Sequence, residues 1–279
     1  MNLSLIAEIV TYALREDLGA GDITTLSTVP KEAKASATMI AKTEGVIAGL
    51  PVVEEVYRQV DPSVKITRRV EEGAHVPPRT VLCEIVGDAR SLLTGERVAL
   101  NFLQRLSGIA TKTARFVSLV EGSGVRVVDT RKTTPGLRPL ERYAVKVGGG
   151  HNHRYALDSA VMIKDNHIAA SGGITAAVER ARKAIPHTMT ITVECDTLAQ
   201  VSEAVAAKAD ILLLDNMTLD QLREAVSMIG GRAKAEASGG VNELTISEIA
   251  RTGVDLISVG ALTHSAIALD IGLDLVLVG

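Results

Sequence analysis

Apolar positions along the chain show two textures, with the change near residue 122. In the first part, Leu3, Ile6, Val10 and Leu14 recur at helical spacing, and Gly19 can end that helix. Residues 17–22 then read as a turn, and 33–49 have a mixed, strand-like pattern. Pro51 stands where a helix would start, with Val52, Val56 and Val60 as its buried face. The β-branched runs over 64–87, broken by Gly73 and Pro77-Pro78, predict short antiparallel strands. A long helix is expected from about residue 94 to 119, with Leu100, Leu103 and Leu106 along it.

In the second part, short apolar runs recur at 125–128, 161–163, 190–193, 211–214, 233–235 and 256–259. Each is followed by polar residues and a helical segment. The last four lie about 20 residues apart, which is room for strand, loop, helix and loop. Thr218 with Gln221 and Thr245 with Glu248 read as capping boxes. The pattern predicts a βα-repeat barrel, incomplete because only six strands are counted. No linker of low complexity separates the two parts, so the boundary runs through the helix near 105–120.

Composition removes several classes of function. A chain of 279 residues, 46% apolar and 23% charged, is ordinary for a globular protein of two domains or one large barrel. A net charge of −3 offers no general field for nucleic acid. Four Tyr, two Phe and no Trp offer no stacking platform for single strands. Two cysteines, Cys83 and Cys195, make neither a disulfide framework nor a zinc spacing; both read as core, which suits a reducing cytoplasm. The first residues lack a basic stretch, and Glu8 interrupts their apolar run. The longest charge-free apolar window, 256–269, is too short to span a membrane. A soluble, cytoplasmic protein that engages no membrane is expected.

The chemistry concentrates just after the apolar runs. In order stand Asp129-Thr130-Arg131-Lys132, Lys164-Asp165-Asn166-His167, Glu194, Asp215-Asn216, Glu236-Ala237-Ser238-Gly239-Gly240 and Gly260-Ala261. The C-terminal strand ends of a βα barrel form one face, so these groups point at one cavity. Residues 126–154 hold seven Lys and Arg against two acids, in a chain of negative net charge. Gly148-Gly149-Gly150 would let backbone approach a ligand closely, and arginine binds carboxylate or phosphate in bidentate fashion. A small substrate with several negative charges follows. Ser238-Gly239-Gly240 and Gly260-Ala261 each precede a helical segment in the last two repeats, where barrels often hold phosphate.

Several groups stay open to more than one role. Glu194 and Asp215 could bind magnesium, hold sugar hydroxyls, stabilise positive charge on a sugar ring, or simply pair with lysines. Lys164 is either a Schiff-base lysine or an anion ligand. His264 either assists the last glycine turn or caps its helix. His151-x-His153 resembles a metal pair, but it follows three glycines and lacks further zinc ligands.

Taken together, these segments resemble the quinolinate phosphoribosyltransferases, type II enzymes also called nicotinate-nucleotide pyrophosphorylases (carboxylating). The resemblance covers nearly the whole chain. It includes residues 16–24, the stretch from Gly95-Glu96-Arg97 to Gly108-Ile109-Ala110-Thr111, and Asp129-Thr130-Arg131-Lys132-Thr133-Thr134-Pro135-Gly136. It continues through Gly148-Gly149-Gly150-His151-Asn152-His153-Arg154, Lys164-Asp165-Asn166-His167, Leu214-Asp215-Asn216-Met217, Glu236-Ala237-Ser238-Gly239-Gly240 and residues 258–264.

The resemblance implies an α/β fold: an N-terminal α/β sandwich over 1–108, on which a tail of 266–279 packs back, and an open α/β barrel over 109–265. It implies a homodimer, or a higher assembly, in which Arg105 reaches the other subunit's site. Arg131, His153, Arg154 and Lys164 would hold the carboxylates of quinolinate. Lys132, Glu194 and Asp215 would contact phosphoribosyl pyrophosphate and its Mg2+. Ser238, Gly239, Gly240, Gly260, Ala261 and His264 would take the 5-phosphate, with Thr130 also contacting substrate. Lys132, Lys164, Glu194 and Asp215 are the expected catalytic set.

The implied reaction joins phosphoribosyl to the quinolinate nitrogen and expels the 2-carboxylate, giving nicotinate mononucleotide, pyrophosphate and carbon dioxide. The alternatives are a relative from the molybdenum-transport-associated group acting on another acceptor, a Schiff-base barrel lyase using Lys164, or a phosphate-ligand sensor without turnover. The loop over 133–139 is a candidate for closing over the site.

Overall fold

The computed structural model describes residues 3–278. It divides into two compact units. Unit 1 takes the chain through Ala114, Thr133–Gly149 and everything from Thr263 onward; unit 2 takes Arg115–Lys132 and Gly150–Leu262. Among the described residues, no helix is long and apolar enough to cross a membrane.

Unit 1 opens with helix α1 (Leu3–Leu18), which buries Ile6, Val10 and Leu14 on one face as their spacing predicts. Asp22 ends the turn and caps the short helix α2 (Ile23–Thr28) by accepting from the Thr25 amide. Strand β1 (Lys34–Ala41) alternates strictly, sending Ala35, Ala37, Met39 and Ala41 to the core. The strand-like stretch is completed by β2 (Gly45–Val46).

Helix α3 (Leu50–Val60) begins after Gly49, whose φ of 114° suits glycine, and has Pro51 in its first turn. Its N-terminus is capped from a distance. Glu72 accepts from the amides of Gly49 (2.6 Å) and Leu50 (3.1 Å), and from the Tyr143 hydroxyl (2.9 Å). Burial raises the Glu72 carboxyl above its ordinary value despite these donors.

The runs over 64–87 become β3 (Lys65–Arg68), β4 (His75–Val76) and β5 (Val81–Asp88), all in antiparallel pairs. Helix α4 (Ala89–Ser118) starts earlier than expected. Asp88 caps it by accepting from the Arg90 and Ser91 amides. This helix leaves unit 1 at Ala114.

Unit 2 is one parallel sheet. Its strands are β6 (Arg126–Val128), β7 (Val161–Ile163), β8 (Ile191–Cys195), β9 (Ile211–Asp215), β10 (Lys234–Ser238) and β11 (Leu256–Ser258). They coincide with the six apolar runs to within three residues at either end. The order β6-β11-β10-β9-β8-β7 places the first strand beside the last, while β6 and β7 do not pair. That is a βα barrel left open along one seam, with helix α5 (Arg138–Val147) of unit 1 intervening in sequence between β6 and β7. The helices that follow β7 to β11 are α6 (Asp165–Ser171), α7 (Ile174–Ala184), α8 (Leu198–Ala206), α9 (Leu219–Ile229), α10 (Ile246–Ala250) and α11 (Ala261–His264).

The capping box at Thr218 and Gln221 forms. The one expected at Thr245 does not. Its hydroxyl instead accepts from the Asn242 amide, and Glu248 pairs with Arg251. A box the pattern did not single out forms at Thr197 and Gln200.

The chain then returns to unit 1. Gln104 holds the tail with two bonds: its carbonyl accepts from the Leu269 amide and its side chain donates to the Ile271 carbonyl. Strand β12 (Ile271–Val278) pairs antiparallel with β1 along its whole length, giving the order β12-β1-β5-β3. Gly108 makes this approach possible. A Cβ there would fall 2.0 Å from the Ile267 carbonyl oxygen, so helix and tail backbones pass where no side chain fits. Gly108→Ala should therefore lower stability by about 1–3 kcal/mol through overpacking. Denaturant melts of the variant against the parent check this; coincident melts would refute it.

Candidate active site

Parallel strands end together, and inward-facing residues recur with period two. On β7, Met162 and the following Lys164 share a face; on β9, Leu213 and Asp215; on β10, Glu236 and Ser238. These residues, with Glu194 of β8 and Ser258 of β11, line one cavity of about 440 Å³ within unit 2. Thr130, Arg131, Lys132, His153 and Arg154 complete its wall.

The basic wall hangs on a buried acid. Beyond β6 the chain is flanked by His151, which forms a parallel bridge to Val128. Asp129 is fully buried there, and its two oxygens accept from the His153 amide (2.7 Å) and Asn152 Nδ2 (2.6 Å). One carboxylate thereby ties the 129–132 turn to the 152–154 segment. Arg154 donates from Nη1 to the Ala160 carbonyl at 3.0 Å. Burial, and then the neighbouring Arg131 guanidinium, pull the Arg154 pKa below its ordinary value. A bound anion would relieve both effects.

The acidic wall alternates with it. Lys164 Nζ pairs with Glu194 Oε2 across adjacent strand ends. Asp215 Oδ2 accepts from Asn216 Nδ2 at 2.7 Å. Asn216 adopts φ +53°, an uncommon conformation for a residue with a side chain, and its amide bonds to the Ser238 carbonyl. Its side chain fills the space a Cβ on Gly239 would need, 2.2 Å from Oδ1. The glycine turn after β10 thus also seats the side chain that orients Asp215.

Nine of the sequence-predicted residues line this one cavity: Thr130, Arg131, Lys132, His153, Arg154, Lys164, Glu194, Asp215 and Ser238. Gly239 and Gly240 form the turn directly after Ser238, both with positive φ. Gly260 and Ala261 lead into α11, which ends at His264; the His264 Nδ1 sits 2.6 Å from Ser265 Oγ. Arg105 belongs to unit 1. Its guanidinium bonds the fully buried Glu141 from Nε (3.2 Å) and Nη2 (2.7 Å), the Ala266 carbonyl (3.0 Å) and the Thr263 carbonyl.

Met162, Leu213 and Ser258 line the cavity without having been singled out as site residues, and Glu236, placed there by its strand-end group, was given no role. The signal lay in the inward alternation of the strands, most visibly at Lys234-Ala235-Glu236-Ala237-Ser238, where an acid interrupts a core strand. Among the described residues, no three His, Cys, Asp or Glu gather as a metal centre. The cavity instead offers the carboxylates of Glu194 and Asp215.

Cations, acids and a glycine turn at the C-terminal face of an open α/β barrel define a barrel site for small polyanions. Comparison with known proteins narrows this class. Family models described as the N-terminal and C-terminal domains of quinolinate phosphoribosyl transferase match residues 22–107 and 109–274. A probable nicotinate-nucleotide pyrophosphorylase [carboxylating] of Bacillus subtilis is 42% identical over 99% of this chain and 96% of its own. Its counterpart in Mycobacterium leprae is 44% identical over 95% of each. The crystal structure of NadC from Streptococcus pyogenes superposes with a TM-score of 0.97 at 42% identity, covering 100% of this chain and 99% of that one. The chain belongs to the quinolinate phosphoribosyltransferase family.

Both cysteines are buried, Cys195 directly after Glu194, and burial pushes each thiol up to about 12 from 9.0. A raised thiol pKa stabilises the fold below pH 9 and loses that contribution as pH climbs from 9 toward 12. Neither thiol should react with an aromatic disulfide reagent at pH 8 until denaturant is added, and stability should fall above pH 9. Rapid labelling of the folded chain would contradict this.

Proposed function

We propose that this protein transfers phosphoribosyl from phosphoribosyl pyrophosphate to the nitrogen of quinolinate, with loss of the 2-carboxylate. The observation that carries the reading is the single cavity in which Arg131, Lys132, Arg154 and Lys164 face Glu194 and Asp215. Arg131, His153, Arg154 and Lys164 hold the two carboxylates of the pyridine. Met162 and Leu213 give its ring an apolar contact. Lys132 takes the pyrophosphate, and Ser238 with the turns Gly239-Gly240 and Gly260-Ala261, aided by His264, takes the 5-phosphate; Thr130 contacts substrate beside them.

The chemistry asks for positioning and charge. The pyridine nitrogen carries its own lone pair, so attack on the sugar needs no general base. As the bond to pyrophosphate breaks, positive charge grows on the ribose ring, and the carboxylates of Glu194 and Asp215 stabilise it. When carbon dioxide leaves, the electron pair of the broken bond stays on the ring carbon, stabilised by the adjacent positive nitrogen. That carbon then takes up a proton.

Since no three His, Cys, Asp or Glu among the described residues gather as a metal centre, Glu194 and Asp215 suit a Mg2+ that arrives on the substrate's phosphates better than one caged by protein. When bound, it would neutralise the leaving pyrophosphate, with Glu194 and Asp215 as its contacts from the chain. The same reading includes a cytoplasmic homodimer or higher assembly, an N-terminal domain over 1–108 carrying the tail 266–279, and a catalytic barrel over 109–265. Arg105 serves the site of the other subunit. The pairing of Lys164 with Glu194 favours an anion-binding ammonium over a Schiff-base amine.

Turnover tests the reading directly. Protein mixed with quinolinate, phosphoribosyl pyrophosphate and Mg2+ should release nicotinate mononucleotide and carbon dioxide in equal amounts, with nicotinate a poor substitute. No product from quinolinate would refute it and direct attention to another acceptor, as in the molybdenum-associated relatives. Arg131→Ala and Arg154→Ala should each weaken quinolinate binding by roughly tenfold or more while sparing the sugar donor, as expected for losing a charged hydrogen bond. Equal losses for both ligands would sink the division of the site.

A shared site makes a separate prediction. Mixed Arg105→Ala and Lys164→Ala subunits should regain activity that neither has alone. If subunits exchange and no activity returns, the sites are not shared.

A further inference from the structure

Glu236 occupies the middle of β10, on the inward face below Ser238. It is fully buried, and neither of its carboxylate oxygens accepts a hydrogen bond. A buried acid left in this state is costly, so its place calls for a reason. Beside it lies His153, with Nε2 3.3 Å from Glu236 Oε1.

The far side of the imidazole is fixed independently. His153 Nδ1 accepts from the Arg154 amide at 2.7 Å. The backbone at this point is itself pinned, because the His153 amide donates to the buried Asp129. A ring nitrogen that accepts a hydrogen bond carries no proton, so the ring hydrogen lies on Nε2. The opposite tautomer would be penalised twice. It would set N–H against N–H at Nδ1, and a lone pair against a carboxylate at Nε2. Contacts from two separate segments specify the same proton position.

We propose that Glu236 is a positioning residue that holds His153 in its Nε2–H tautomer and keeps that donor at the floor of the cavity. The carboxylate acts on the ring through its field, since no hydrogen bond from Nε2 closes on it. An acceptor such as a pyridine carboxylate would then meet a donor rather than a lone pair. The consequence for quinolinate rests on the function proposed above; the tautomer does not.

Nitrogen-15 NMR of the full chain labelled at histidine tests the tautomer, with the His153 signals identified by their loss in His153→Gln. The parent should show Nε2 protonated and Nδ1 bare. In Glu236→Gln the pattern should shift toward a mixture. The quinolinate KM should then rise roughly tenfold, the scale for losing the group that orients a histidine. The KM for the sugar donor should stay within about twofold, and Glu236→Asp, which keeps the charge, should recover most of the loss. A parent His153 protonated on Nδ1 overturns the proposal even if Glu236→Gln fails to fold. A folded Glu236→Gln with an unchanged tautomer overturns it too. Absence of any quinolinate turnover by the parent would refute the proposed function and leave the tautomer measurement standing.

Discussion

Like charges repel, and unit 2 gathers Arg131, Lys132, Arg154 and Lys164 around one cavity. Much of the local architecture follows from holding them there. Asp129 is fully buried and accepts from the His153 amide and from Asn152, which fixes the backbone that carries the basic wall. Glu194 shares the charge of Lys164 across a strand boundary. Arg154 still shows the strain, its basicity reduced by burial and by Arg131. The cavity is thus poised for an anion by residues that do not themselves fill it.

The barrel was legible because a parallel sheet writes itself as short, unbroken apolar runs, and because its strand ends carry the polar groups. Lys164, Glu194 and Asp215 stand at such ends, so reading the runs also picked out residues that line one cavity. Glu236 was read only as part of the polar group after the fifth run. It instead sits inside β10 between alanines, because the strand continues past that run to Ser238. Thr245 shows the reverse failure. Its spacing to Glu248 is right, but the Asn242 turn just before it claims the hydroxyl first.

Other features depend on partners far along the chain and have no local signature. Arg105 sits on a helix like any exposed arginine until Glu141 and the carbonyls of Thr263 and Ala266 come to it. Helix α3 looks uncapped at Gly49 because its capping carboxylate is Glu72, more than twenty residues later. Gly108 carries no turn signal and lies within a helix; its lack of a side chain matters only because Ile267 passes over it. Periodicity likewise did not mark β12, whose partner β1 lies at the other end of the chain.

The pairing of β12 with β1 also orders events during synthesis. A ribosome delivers β1 early and β12 only after the whole of unit 2 has emerged. Domains tend to fold as they appear, so the barrel can settle while the first sheet still exposes the edge that β12 will cover. Closing that edge is a contact between opposite ends of the chain, the slowest kind to form. The nascent protein therefore passes through a stage in which β1 is open to strands of other chains, and the sheet that begins the sequence is the last to be sealed.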